Sequence, residues 1–266
     1  MSKRETKLIK KVEGWLKLAN QREYLHHFGP KKYKLKHHLT ALLVMQICKL
    51  SLRRVESFLI LVGIEVPTYS ALCKSRKKIP SKLWNLLLMK TSNLSSVNTA
   101  IDSTGFSRNN PSYHYVKRIV NKRPIKNFAK LSVFFDIEHR KFLALKVRIK
   151  PRHDVMDFKD LISKRGDIKI LFGDSAYDAE SIHEFCFDKQ IQTMIKPRKN
   201  VKRGFYRKKQ MKNYSEKIYH KRSLIESGFG SLKRKYGSSV YGKSFKSVNS
   251  EIYCKTICHN LNLTLT

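Results

Sequence analysis

The sequence predicts an α/β protein: a mixed β-sheet flanked by helices, preceded by a small all-α domain of helix-turn-helix type. Three observations carry this reading. Residues 1–95 have helical periodicity and helix-end signals with no strand-like run. From residue 96 onward, runs rich in Val, Ile and Phe alternate with helical stretches. The 266 residues suffice for one large domain or two small ones, and the texture changes at the polar stretch SNLSSVN (92–98). The expected division is therefore 1–95 and 96–266.

In the first part, HLTALLVMQICKL (38–50) is an apolar helix. SLRRVESFLILVG (51–63) opens on a Ser cap and stops at a Gly, and VPTYSALCKSRKKI (66–79) offers Thr68 as the next N-cap. The last of these helices ends in Arg76, Lys77 and Lys78, which a helix-turn-helix would present to DNA and a plain bundle to solvent.

In the second part, VNTAIDSTGFS (97–107) reads as a short strand running into a Gly turn. KLSVFFDI (130–137) and RKFLALKVRI (140–149) form a hairpin about Glu138-His139. DVMDFKDLISKRG (154–166) is a helix with Asp154 as cap and Gly166 as stop. IKILFGD (168–174) is a buried strand, YDAESIHEFCFDKQ (177–190) a helix and IQTMIKP (191–197) a strand. A basic, weakly patterned stretch (198–213) leads to a long helix around Tyr219–Gly237, and SVNSEIYCKTICHNLNL (247–263) is the final helix. Three meander strands followed by parallel additions give the strand–helix order of a ribonuclease H-like domain.

Charge narrows the partner. Lys and Arg number 56 against 20 Asp and Glu, a formal +36, which attracts polyanions and points to nucleic acid. The apolar runs 39–48 and 58–64 are too short to span a bilayer, and MSKRETKLIKK lacks the apolar core of a signal peptide. Five scattered cysteines suit a reducing compartment. Cys254 and Cys258 read as buried structural thiols instead of zinc ligands.

Against so few acids, three stand out. Asp102 and Asp174 each end an apolar strand run, where side chains project into a crevice. Glu226 lies in the long late helix, with Tyr219, Arg222 and Lys233 within roughly 60° of arc on its face. Three carboxylates brought together repel one another unless a cation lies between them, and hard divalent ions accept carboxylate and phosphate oxygens. Two such ions would serve phosphodiester chemistry. The plainer reading of Arg222 and Glu226 is an exposed i,i+4 ion pair. Gly230 shares that face, and an interior helix glycine calls for a close-approach reason. Asp154, Asp157, Asp160 and Asp178 are explained as helix caps or first-turn acids, and Asp136 belongs to the hairpin turn. His114, His139, His153 and His183 have no ligand spacing.

Tyr219, Arg222, Glu226 and Lys233 also satisfy Y-x2-R-x3-E-x6-K in full, and here the chain resembles the DDE transposases of the insertion-sequence four/five superfamily. AIDSTGF (100–106), FGDSAYDAE (172–180), KNFAKLSVFFDIEHRKFLA (126–144) and VPTYSALCKSRKK (66–78) resemble further blocks of that family. The resemblance implies a catalytic core in which Asp102, Asp174 and Glu226 hold two Mg²⁺, with Mn²⁺ able to substitute. Water would cut at the element's terminal inverted repeat, and the freed 3′-OH would attack target DNA. Tyr219, Arg222 and Lys233 would contact DNA beside the cut. A homodimer on double-stranded DNA in a prokaryotic cytoplasm, at the nucleoid, follows from the same resemblance, with no membrane and no small-molecule substrate. The 52-residue spacing from Asp174 to Glu226 leaves little room for the β-rich insertion of some relatives, and the basic stretch 198–213 stands there instead. An endonuclease that cuts without strand transfer, and an inactive DNA-binding derivative, are the alternatives.

Overall fold

The computed structural model describes residues 3–18, 20–25, 31–92, 98–108, 128–164, 168–199 and 203–265. Most of the SNLSSVN linker, the expected stop Gly166 and His114 lie outside these residues. The chain forms two compact units, Met1–Thr91 with Gly242–Thr266, and Ser92–Tyr241.

The first unit is all-helical: α1 (Lys3–Leu18), α2 (Leu35–Ile47), α3 (Leu52–Leu61), α4 (Tyr69–Lys78), α5 (Ser81–Thr91) and α11 (Phe245–Leu265). The expected caps form. Ser51 accepts from the Arg54 amide at 3.2 Å, Thr68 accepts from the Ala71 amide at 3.3 Å, and Gly63 beyond α3 takes a φ of +72°. The final helix, expected with the sheet, shares this unit and is buried on all sides from Ser247 to Leu261. A helix enclosed in this way must satisfy its polar side chains internally. Ser250 Oγ donates to the Arg76 carbonyl at 2.6 Å and accepts from Trp84 Nε1 at 3.0 Å, while Tyr253 stacks on Trp84. Cys254 and Cys258 are buried thiols, as expected, and burial pushes both up.

The second unit holds β1 (Asn98–Arg108), β2 (Phe128–Asp136), β3 (Lys141–Arg148), α6 (Val155–Ile162), β4 (Ile170–Gly173), α7 (Glu180–Asp188), β5 (Gln192–Ile195), α8 (Phe205–Met211), α9 (Glu216–Tyr219), α10 (Ser223–Tyr236) and β6 (Ser239–Val240). The sheet order is β3-β2-β1-β4-β5, with β2 antiparallel to β1 and β3, and β4 and β5 added in parallel. The meander and the parallel additions match the expectation. Two details differ. The basic stretch 198–213 contains α8, and β1 does not turn at Gly105 but continues to Arg108, because its ladder with β2 runs unbroken from Thr99 to Ser107.

The other edge of β1 is divided. Residues 98–101 pair with β4 and residues 107–108 with β6, so 102–106 have no strand partner there among the described residues. One sheet face packs Ile101, Phe134, Leu143 and Leu171 against Phe158 and Leu161 of α6 and Ile182 of α7. On α10, Phe229 stacks on Phe142, with ring centroids 6.1 Å apart, and Gly228 abuts Phe135.

Candidate active site

The register of the two parallel strands sets the first two acids. Ile101 pairs with Gly173, and these are the last partners in the β1–β4 ladder. Asp102 and Asp174 are the next residue on each strand, so both emerge where the ladder ends and the crevice begins. Asp174 Oδ1 caps the 3₁₀ turn Ser175–Tyr177 by accepting from the Ala176 amide at 2.9 Å. Asp102 Oδ1 accepts from the Ser103 amide at 2.7 Å.

The late helix supplies the rest. The Tyr219–Tyr236 run is a short α-turn (α9), a 3₁₀ turn (His220–Arg222) and then α10. Arg222, at the junction, forks between two carboxylates. Its Nη1 donates to Asp102 Oδ2 at 3.0 Å and its Nη2 to Glu226 Oε1 at 2.5 Å. The i,i+4 pair expected as the plain reading is therefore present, but it is half of a bridge to the sheet. Tyr219 also hydrogen-bonds Arg222. Lys233 Nζ lies 5.5 Å from the ring centroid of Phe106, on the stretch of β1 unpaired at that edge.

Burial pushes the Asp102 carboxyl upward; Ser103 and Arg222 pull it down, and the charges of Asp174 and Glu226 push it up again, leaving it raised. The side chains of Asp102 and Arg222 are 16% and 18% exposed, whereas Glu226 is 60% exposed. Burial likewise raises Tyr219 and lowers Lys233. Among the described residues, no three His, Cys, Asp or Glu side chains converge closely enough to hold one metal ion. The chemistry of the donors still fits a hard cation: the charges of Asp174 and Glu226 both reach Asp102, and Asp102 and Glu226 already share a guanidinium. A divalent ion between Asp102 and Glu226 would require Arg222 to swing away.

Several expectations are corrected. Asp154 does not cap α6 with its side chain; it joins Lys130 (2.5 Å), Arg148 (3.0 Å) and the Ser103 hydroxyl (3.0 Å) next to Asp102. Asp178 does not cap α7 but is a buried hub bound by Arg207, His183 and the Arg198 amide. The close-packed glycine of α10 is Gly228, not Gly230. A Cβ at 228 would lie 2.6 Å from the Phe135 ring, while one at 230 would meet only Arg234 Nη2, at 3.9 Å. Arg76 is turned inward, 3.6 Å from Glu251, so burial withdraws it from the exposed basic set, in which Lys77 and Lys78 remain.

Sequence reasoning missed Arg198, Arg207 and Glu180. Glu180 accepts from the Tyr206 and Arg207 amides at 2.8 and 3.3 Å and so caps α8 from another element. Partners 20 to 29 residues apart leave no periodic trace. A family model described as the transposase DDE domain matches residues 95–261. No curated protein matches the chain significantly.

Proposed function

The chain belongs to the transposase DDE-domain family, and from that premise we propose that it cuts DNA at the ends of an insertion sequence and joins those ends to target DNA. We read the second unit as ribonuclease H-like and the family branch as insertion-sequence four/five. Asp102, Asp174 and Glu226 are the catalytic carboxylates in this reading. The observation that carries it is the register of β1 and β4, which ends at Ile101 and Gly173 and leaves the two aspartates side by side, with Arg222 linking Asp102 to Glu226.

The trio would hold divalent cations, Mg²⁺ by preference, which activate the attacking oxygen and stabilise the leaving one. The chain's own residues do the rest. Arg222 can exchange its carboxylate partners for a phosphate, since its fork suits either anion. Tyr219 and Lys233 flank it and hold the strand beside the cut. The exposed Lys77 and Lys78 on α4 fit the DNA-reading element of a helix-turn-helix formed with α3. A homodimer would hold the two ends together.

The test uses labelled element ends and a supercoiled target plasmid. Asp102→Ala, Asp174→Ala and Glu226→Gln should each abolish Mg²⁺-dependent cleavage and leave DNA affinity nearly unchanged. Full cleavage by any of the three would remove that residue from the chemistry. Cleavage by the wild type without covalent joining would favour a nuclease, and neither product a DNA-binding derivative. Affinity in all cases should fall steeply with salt, as counterion release requires.

A further inference from the structure

We propose that Arg198 is a positioning residue for Asp174. The inference rests on the reading of Asp174 as a metal-binding carboxylate. β4 stops at Gly173, so Asp174 has no ladder to fix it and depends on the turn that follows. Arg198 grips that turn from outside. Its Nε donates to the Ser175 carbonyl at 2.7 Å and its Nη2 to the Ala176 carbonyl at 2.9 Å.

The first of these bonds has a specific target. The Ser175 carbonyl and the Ala176 amide belong to one peptide group, and that amide donates to Asp174 Oδ1 at 2.9 Å. One rigid plane therefore separates the guanidinium from the carboxylate. A cation on its oxygen orients the plane and polarises its N–H, strengthening the bond that aims Asp174.

The grip is itself anchored. The Arg198 amide donates to Asp178 Oδ2 at 2.7 Å. Asp178 is buried, with Arg207 Nε at 2.7 and 3.0 Å from its two oxygens and His183 Nε2 at 3.0 Å; His183 Nδ1 in turn lies 3.1 Å from the Thr193 hydroxyl on β5. The backbone at residue 198 is thus fixed to the sheet while its side chain reaches back over the turn. A free surface arginine facing DNA would need none of this. The start of the basic stretch 198–213 then has a task inside the protein, distinct from attracting phosphate.

The experiment is an Mn²⁺ titration of the full-length protein without DNA, with free Mn²⁺ read by electron paramagnetic resonance. Removing the direct partner of a metal ligand typically costs 10- to 100-fold in affinity; Arg198 acts one peptide group further out, so Arg198→Ala should weaken Mn²⁺ binding by roughly three- to tenfold. Arg198→Lys, which replaces the fork with a single centre, should fall between Arg198→Ala and the wild type. In an Asp174→Asn background Arg198→Ala should have no further effect, whereas in a Glu226→Gln background its effect should persist. Unchanged binding in Arg198→Ala, or an equal loss in the Asp174→Asn background, would overturn the proposal. So would a loss confined to affinity for a 20-base-pair duplex, which would make Arg198 a phosphate contact. If Asp174→Asn alone leaves Mn²⁺ binding intact, the reading of Asp174 as a ligand fails, and the proposal with it. Because Asp178 and Arg207 are untouched in these variants, matching far-ultraviolet circular dichroism is expected throughout.

Discussion

The two glycines of α10 make an internally controlled prediction. Both sit in a helix interior, so an alanine at either gains about 0.8–1.0 kcal/mol of helix propensity. They differ in what the new methyl meets. At Gly230 the nearest atom is the far end of Arg234, 3.9 Å away, and the propensity gain should be realised almost in full. At Gly228 the methyl falls 2.6 Å from Cε2 and Cζ of Phe135, about 1 Å inside ordinary carbon contact. Phe135 cannot step aside, because it is fully buried and packs edge-on against Phe142, with centroids 5.1 Å apart. Overpacking of this kind costs about 1–3 kcal/mol. Propensity cancels in the comparison, so Gly228→Ala should lie about 1–3 kcal/mol below Gly230→Ala. That corresponds to roughly 2–12 °C in the melting temperature of a unit of this size. Differential scanning calorimetry of the two variants and the wild type measures it directly. If Gly228→Ala melts at or above Gly230→Ala, the seating of α10 on the sheet is wrong, and with it the approach of Glu226 to Asp102.

Other consequences can be checked with equal economy. Lys164 donates to the Leu145 carbonyl at 2.6 Å, and burial pushes its amine down from 10.5 to about 8. Between those values the unfolded chain binds the proton and the folded chain does not, so stability should rise from pH 8 toward 10.5. Lys164→Met should flatten that rise in urea titrations; an unchanged slope would refute the assignment. Arg76→Ala should destabilise the chain by up to about 3–5 kcal/mol, because it removes the cation 3.6 Å from the buried Glu251 carboxylate while the Gly242 amide stays on it, whereas Lys77→Ala and Lys78→Ala should leave melting unchanged and weaken duplex affinity. A stable Arg76→Ala with normal folding would show that its pairing is dispensable.

What the sequence disclosed follows from the range of the forces involved. Elements built from local patterns were legible: the Ser51 and Thr68 caps, the hairpin about Glu138-His139, and the alternation that yields β4, α7 and β5. The positions of Asp102 and Asp174 in the candidate site were legible because an acid after an apolar strand run emerges at the end of a ladder whichever strand lies beside it. Asp154 and Asp178 were misread for the opposite reason. A cap is inferred from the next three residues, while their actual partners, Lys130 and Arg148 for one and Arg207 for the other, are set by sheet register and chain return. Gly230 was singled out, and Gly228 passed over, because helical geometry tells which residues share a face but not which face meets a phenylalanine. Arg76 was placed outside because its burial depends on Glu251, 175 residues later.

The enclosure of α11 has a further consequence for how the chain is made. Helices α2–α5 leave the ribosome well before the helix that fills their centre is synthesised. The intervening 150 residues, Ser92–Tyr241, form the sheet unit in the meantime. At elongation rates of about 5–20 residues per second this is a delay of roughly 8–30 s, during which the apolar faces that receive Ile252, Tyr253 and Ile257 stand open. The helical unit therefore begins before the sheet unit and is completed after it, so a ribosome that stalls before residue 242 would release a finished sheet attached to an unfinished helical unit.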